Sequence, residues 1–104
     1  MAEKLCSLRK KGGDSKIEID HWIGYFASAT NTFNATKNKY YLVTGYGTGR
    51  ISNILTSLTG ATTISDDVVY MSDNWTFMGV AIIKATSTSI TVGTNAYPAI
   101  AMFK

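Results

Sequence analysis

Few side chains in this sequence have the types and spacing to act on a substrate, and each stands nearly alone. His21 is the single histidine, and Asp20 precedes it directly. A general base needs an orienting acid within hydrogen-bond reach. Successive residues of a strand point to opposite faces, so this pair is expected to be poorly placed for that bond. The single cysteine, Cys6, permits neither an intrachain disulfide nor a thiolate zinc site, and a lone histidine does not build a His-rich metal site. Asp66, Asp67 and Asp73 could offer oxygen ligands to calcium, but their spacing matches no EF-hand loop. Turn or helix capping is their expected role. Gly45-Tyr46-Gly47-Thr48-Gly49-Arg50 invites comparison with a phosphate-binding loop, because glycine-rich turns present backbone N–H groups to anions. The pattern is G-x-G-x-G, carries no Walker lysine and is not embedded in alternating strands and helices. A tight glycine turn at the end of a strand is expected instead. No catalytic residue, cofactor or metal is expected.

The aromatic residues are the other group able to make a site. The chain has two Trp, six Tyr and four Phe, and rings of this kind stack on sugars or anchor protein interfaces. Most must fill the core of so small a domain. Trp22, Tyr25, Tyr46, Trp75 and Tyr97 are the candidates for glycan or subunit contact. Asn34-Ala35-Thr36 and Asn74-Trp75-Thr76 fit the glycosylation sequon, but no apolar leader of a signal peptide is visible to route them to modification.

The elements that must position these residues are mostly strands. Lys16-Ile17-Glu18-Ile19-Asp20 alternates strictly and predicts a half-buried strand that continues through His21–Ala27, with a bulge or bend at Gly24. Residues 28–38, almost all Ser, Thr, Asn and Ala around Phe33, predict a surface loop. Lys39–Tyr46 predicts a central strand broken by Gly45, Gly47 and Gly49. Further strands are expected at Ala61–Ile64, Val68–Met71, Trp75–Ala85, Ser89–Val92 and Pro98–Phe103. The strand 75–85 should be buried on both faces and should turn at Ala85–Ser89 into a hairpin. The last should begin at Pro98 or lie at an edge, since proline donates no ladder bond. Ile51, Ile54, Leu55 and Leu58 have the i, i+3, i+4, i+7 spacing of an amphipathic helix, with Gly60 at its C-terminal end. Poor helix formers fill the gaps, so residues 51–59 are expected as a short helix or an irregular loop. The expected fold class is all-β, a β-sandwich or small jelly roll.

Composition agrees. Charged residues are 16% of the chain, against an average of about 25%. The shortfall is filled by 14 Thr, 9 Ser and 6 Asn, a mixture that favours pleated sheet over soluble helix. The net charge of +3 is unevenly placed. Residues 1–16 hold five cations against two acids, whereas residues 17–104 balance five against five. The chain therefore divides into a basic N-terminal arm, 1–16, hinged at Gly12-Gly13, and a neutral β body, 17–104. Lys4, Leu5, Leu8, Arg9, Lys10 and Lys11 are the expected anchor of the arm on an assembly partner. No aromatic residue interleaves them, so nucleic acid is not the expected partner. No apolar run reaches the 18 residues of a membrane helix, so a product made in the cytoplasm is expected, with no membrane partner.

The opening Met1-Ala2-Glu3-Lys4-Leu5-Cys6-Ser7-Leu8-Arg9-Lys10-Lys11-Gly12-Gly13, followed by a Ser/Thr/Asn-rich β body, resembles small virion-associated proteins of tailed phages and prophages of gut bacteria. The segment Ser89–Ala101 is similar to the closing hairpin of tail-fibre tip domains. Together they cover about a quarter of the chain. The resemblance implies a β-sandwich that oligomerises, often as a trimer, on a virion. Its short arm would bind other virion proteins, and its loops would face a host-surface glycan.

Overall fold

The structure is a computed structural model that describes residues 17–104. The basic arm, with Lys4, Leu5, Leu8, Arg9, Lys10 and Lys11, lies outside the described residues. Eight strands follow: β1 (Ile19–Tyr25), β2 (Thr30–Asn34), β3 (Tyr40–Thr48), β4 (Leu55–Thr59), β5 (Ala61–Tyr70), β6 (Thr76–Ala85), β7 (Ser89–Thr94) and β8 (Ala99–Phe103). They form two antiparallel sheets in a sandwich-like arrangement, one of five strands in the order β1-β8-β3-β6-β5 and one of three in the order β2-β7-β4. Strand β1 pairs with β8, β2 with β7 and β3 with β6.

Alternation sets which side chains lie between the sheets. Along β3, Tyr41 and Val43 are buried in the core, while Tyr40, Leu42, Thr44 and Tyr46 take the opposite, outer face. Along β6 the core side is Phe77, Gly79, Ala81, Ile83 and Ala85. Ile90 and Val92 of β7, Phe33 of β2 and Ile100 of β8 complete the filling. Phe33 and Tyr41 pack with ring centroids 5.5 Å apart, and Tyr70 meets Phe77 edge-on at 6.2 Å. The Tyr41 hydroxyl accepts the Thr36 N–H at 2.7 Å, so this buried ring leaves its polar tip satisfied.

Several sequence expectations need correction. Gly45 and Gly47 do not break β3, which runs through both to Thr48. They face the core. A Cβ at 45 would stand 3.1 Å from the Ala96 methyl and one at 47 would stand 3.1 Å from the Phe77 ring, so the missing side chains are the space those groups occupy. Residues 28–38 are not all loop, because Phe33 anchors β2 and its neighbours join the ladder to β7. Strand β5 is continuous over 61–70, with residues 65–67, where a break was expected, in regular register with β6 and a register shift between Thr63 and Ser65. Residues 85–89 do not close a hairpin, since β6 and β7 belong to different sheets and residues 86–88 carry the chain across. The outer side of β6 is only partly covered, with Met78 exposed. Of the two alternatives for the last strand the first holds, since β8 starts just after Pro98 and lies inside its sheet.

The segment 51–59 is irregular up to Ile54 and then strand β4, with no helix. Its helix-like spacing has another origin. A register shift between Leu55 and Ser57 inserts Thr56 as an extra residue, so Leu55 and Leu58, three apart, both pack against the core. Ile54 is fully buried, its side chain occupying the place where a Cβ at Gly79 would be. The Ile54 and Leu55 N–H groups, which a helix would pair internally, donate to the two Asp66 carboxylate oxygens at 2.8 and 3.0 Å. The Tyr70 hydroxyl bonds both the N–H and the carbonyl of Ile51, and the Arg50 guanidinium lies 5.0 Å from the Tyr70 ring centre. Residues 50–55 are thereby fastened to β5.

Candidate functional site

The outer face of the five-stranded sheet brings together side chains that the sequence keeps far apart. Cross-strand register lines up Tyr25, Ala99, Thr44, Val80 and Asp67 from β1 across to β5. The next row holds Tyr46, Met78 and Val69, each directly opposite its neighbour. Tyr97, just before β8, flanks the first row. Tyr25, Tyr46, Val69, Met71, Met78 and Tyr97 are 55–69% exposed. Tyr25, Thr44, Tyr46, Met78, Tyr97 and Ala99 line a shallow groove of about 170 Å³. Asp67, Val69, Tyr70, Met71, Met78 and Val80 line a second, of about 270 Å³. Met78 borders both, so the two form one apolar strip across the sheet.

Local sequence explains why these residues look outward. Glycines at 45 and 47 occupy the crowded core side of β3 and leave Tyr46 on the open side. The expected irregularity at Gly24 is present as a register shift between Trp22 and Gly24. It places Trp22, opposite Ala101, and Tyr25, opposite Ala99, on the same face although they are three residues apart. The Pro98 carbonyl accepts the Phe26 N–H at 2.8 Å, tying the end of β1 to the segment that carries Tyr97. Exposure is concentrated at this end of the face. One row further along, Ile82 and Ala101 are buried.

Of the five aromatic candidates, Tyr25, Tyr46 and Tyr97 meet at one groove. Trp22 sits on the same face in the adjoining row, and Trp75 lies in the β5–β6 turn and lines neither groove. Val69, Met71 and Met78 were not among the candidates, because valine and methionine in apolar strands read as core. The signal that locates Met78 is parity. In β6 it falls between Phe77 and Gly79, both on the core side, just as Tyr46 falls between two glycines.

The polar chemistry of the strip is sparse. Asp67 is the charged side chain among its lining residues, and Thr44 and the tyrosine hydroxyls supply the remaining polar groups. Among the described residues no group of three or more His, Cys, Asp or Glu is placed to hold a metal ion. Asp20 and His21 do meet, contrary to expectation, with Oδ2 2.7 Å from Nδ1. The register shift at Ile19/His21 re-aims the two side chains. Both are exposed, where such a pair contributes little. Asp73 caps the turn before β6, the role expected of it, whereas Asp66, within β5, fastens the backbone of residues 54 and 55 to that strand. The Asp73 carboxylate accepts the Thr76 hydroxyl at 2.6 Å and the Thr76 and Trp75 N–H groups at 2.9 and 3.0 Å. Those bonds, the Thr76 hydroxyl first, hold its pKa below the usual carboxylate value.

No protein-family model matches this chain, and neither a curated protein nor a solved structure is found to match it.

Proposed function

We propose that this protein is a non-enzymatic structural or attachment component of a tailed-phage virion, acting through its surfaces. The observation that carries the reading is the exposed tyrosine–methionine–valine strip spanning the five-stranded sheet. An apolar surface of this kind, contiguous and bordered by polar residues, marks an interaction site. The nested pairing of β1 with β8, β2 with β7 and β3 with β6 supports a jelly roll, an architecture recurrent in capsid and lectin domains. Strand β5 departs from an even split by extending the larger sheet. Fold analogy assigns a class only; the strip supplies the contact. In this reading residues 1–16 bind other virion proteins and the body 17–104 packs with copies of itself. The test is fractionation of particles from an induced host. The intact chain should sediment with particles and a chain lacking residues 1–13 should not; a chain found only in the soluble fraction refutes the reading.

A second reading, a soluble carbohydrate-binding module, is favoured by one observation, the meeting of Tyr25, Tyr46 and Tyr97 around a single groove. Sugar recognition combines ring stacking with hydrogen bonds to hydroxyls, and Thr44 with the tyrosine hydroxyls is a thin supply of the latter. A glycan array in which binding is lost on Tyr46→Ala would favour this module. An array without hits would remove it.

A further inference from the structure

We infer that the apolar strip is the contact between two copies of this chain, stacked face to face through their five-stranded sheets. The inference rests on the assembly reading above and names its partner and surface.

Three observations select a second copy as occupant. The first is area. With about 100–150 Å² exposed on each large side chain, Tyr25, Tyr46, Val69, Met71, Met78 and Tyr97 present roughly 700 Å², near the 800 Å² per partner of a standard interface and above the largest patch on most monomers. The second is charge. Residues 17–104 carry five cations and five acids, so two bodies meet without net repulsion. Asp67 is the charged side chain among those lining the strip, and it lies at the β5 side, away from the middle. A nucleic acid or an acidic peptide would find no cationic side chain among these lining residues. The third is arrangement. The tyrosine groove lies toward β1 and β8, and the groove lined by Val69 and Met71 lies toward β5 on the opposite side, with Tyr46 and Met78 paired between them.

This arrangement can meet a second copy of itself under one symmetry. A two-fold axis lying in the interface, parallel to the strands and passing between Tyr46 and Met78, carries β3 of one copy over β6 of the other and β8 over β5. Tyr97 then faces Val69 of the second copy, twice, with Tyr25 on β1 at the rim. Met78 packs near the axis. An isologous contact of this kind closes on itself and is the commonest symmetric association, and two sheets meeting this way reproduce the face-to-face packing of a sandwich.

The experiment uses the full-length chain in sedimentation equilibrium over a concentration series reaching the hundred-micromolar range. The intact chain should show a reversible dimer. Met78→Lys should weaken it at least about thirtyfold, the effect of removing a central interface anchor, with its circular dichroism unchanged and its melting transition unchanged at dilutions where the intact chain is monomeric. Asn34→Lys, on the exposed side of β2 in the other sheet, should leave the dimer intact. A strict monomer, or a dimer that Met78→Lys does not weaken, overturns the inference. The geometry has its own test in a Cys6→Ala background. Copies carrying Tyr97→Cys and copies carrying Val69→Cys should cross-link to each other under mild oxidation; cross-linking of Val69→Cys copies mainly to one another overturns the proposed axis. Either failure leaves the virion reading to the particle fractionation, which depends on residues 1–13 and not on this face.

Discussion

The two faces of strands β3 and β6 are built from alternate residues of the same segments and are almost equally apolar, yet they do different things. Facing the three-stranded sheet are Tyr41, Val43, Phe77, Ala81 and Ile83, none more than 1% exposed. Facing away are Tyr46, Met78 and, on the neighbouring strand, Val69, each more than half exposed. Hydrophobicity alone therefore does not distinguish the buried face from the exposed one. The glycines do. Gly45, Gly47 and Gly79 all lie on the core side, where Ala96, Phe77 and Ile54 occupy the room a side chain would take. The inner face is adjusted atom by atom to what covers it. No residue on the outer strip is cut back in this way.

The sharpest way to break the comparison is to truncate adjacent residues of one strand. Phe77→Ala removes a fully buried ring that touches Gly47 and Tyr70 and should cost about 3–5 kcal/mol. In a domain of this size such a loss lowers the melting temperature by at least about 12 °C. Met78→Ala, one position along, should change stability by no more than about 0.5 kcal/mol. Equal losses in urea titrations of the two variants would mean that the outer face is covered within the monomer.

A double-mutant cycle probes the fit itself. Gly79→Ala places a methyl where Ile54 stands and should cost about 1–3 kcal/mol by overpacking. Ile54→Ala should cost about 2–5 kcal/mol by leaving a cavity. Because the two side chains compete for one space, the double variant should be more stable than the sum of the single losses allows, by about 1 kcal/mol or more. Strict additivity would show that Ile54 does not sit over Gly79.

Much of this organisation is legible in the sequence, and the exceptions have physical causes. Strand β3 is visible from the density of aromatic and β-branched residues in Tyr40–Thr44, and β6 from its length and apolar content. Leu55 and Leu58 mislead because one inserted residue in a bulged strand produces the same three-residue spacing as a helical turn. Phe33 is too isolated among Thr and Asn to announce β2, whose pairing comes from β7, some sixty residues away. The Ala85–Ser89 segment looks like a hairpin because no local pattern separates a turn within a sheet from a crossing between sheets. For the site, Tyr25, Tyr46 and Tyr97 could be named as exposed aromatics, but their meeting depends on the register of β1, β8 and β3. Val69 and Met78 were hidden because side-chain type records apolarity, and only the strand's parity records direction.

The straps that hold the sandwich edge should rank next. Asp66 accepts two backbone N–H groups from residues 54 and 55, and hydrogen bonds to a charged group contribute about 1.5–3 kcal/mol. Asp66→Ala should cost about 2 kcal/mol and should speed hydrogen exchange at the Ile54 and Leu55 amides before that of β3. Exchange accelerated uniformly across the chain would mean that Asp66 supports the whole core and does not act as a local clasp.

The smallest effect belongs to Asp73, whose contribution is confined to the turn presenting Trp75. Its carboxylate is held below the usual value near 3.8 by the Thr76 hydroxyl and the Thr76 and Trp75 N–H groups. A depressed folded-state pKa means that the folded chain binds the proton less readily than the unfolded one. The stabilisation is complete above the unfolded value and is lost as pH falls through the folded one. Asp73→Ala should therefore lower the melting temperature slightly at neutral pH, and the gap to the intact chain should narrow as pH falls below 3.8. A gap constant from neutrality to strong acid would show that the turn depends on the shape of residue 73 and not on its charge. Because the side chain is at the surface, salt should reduce the neutral-pH gap, which separates this turn from the buried fit of Phe77 and Ile54, where ionic strength should have no such effect.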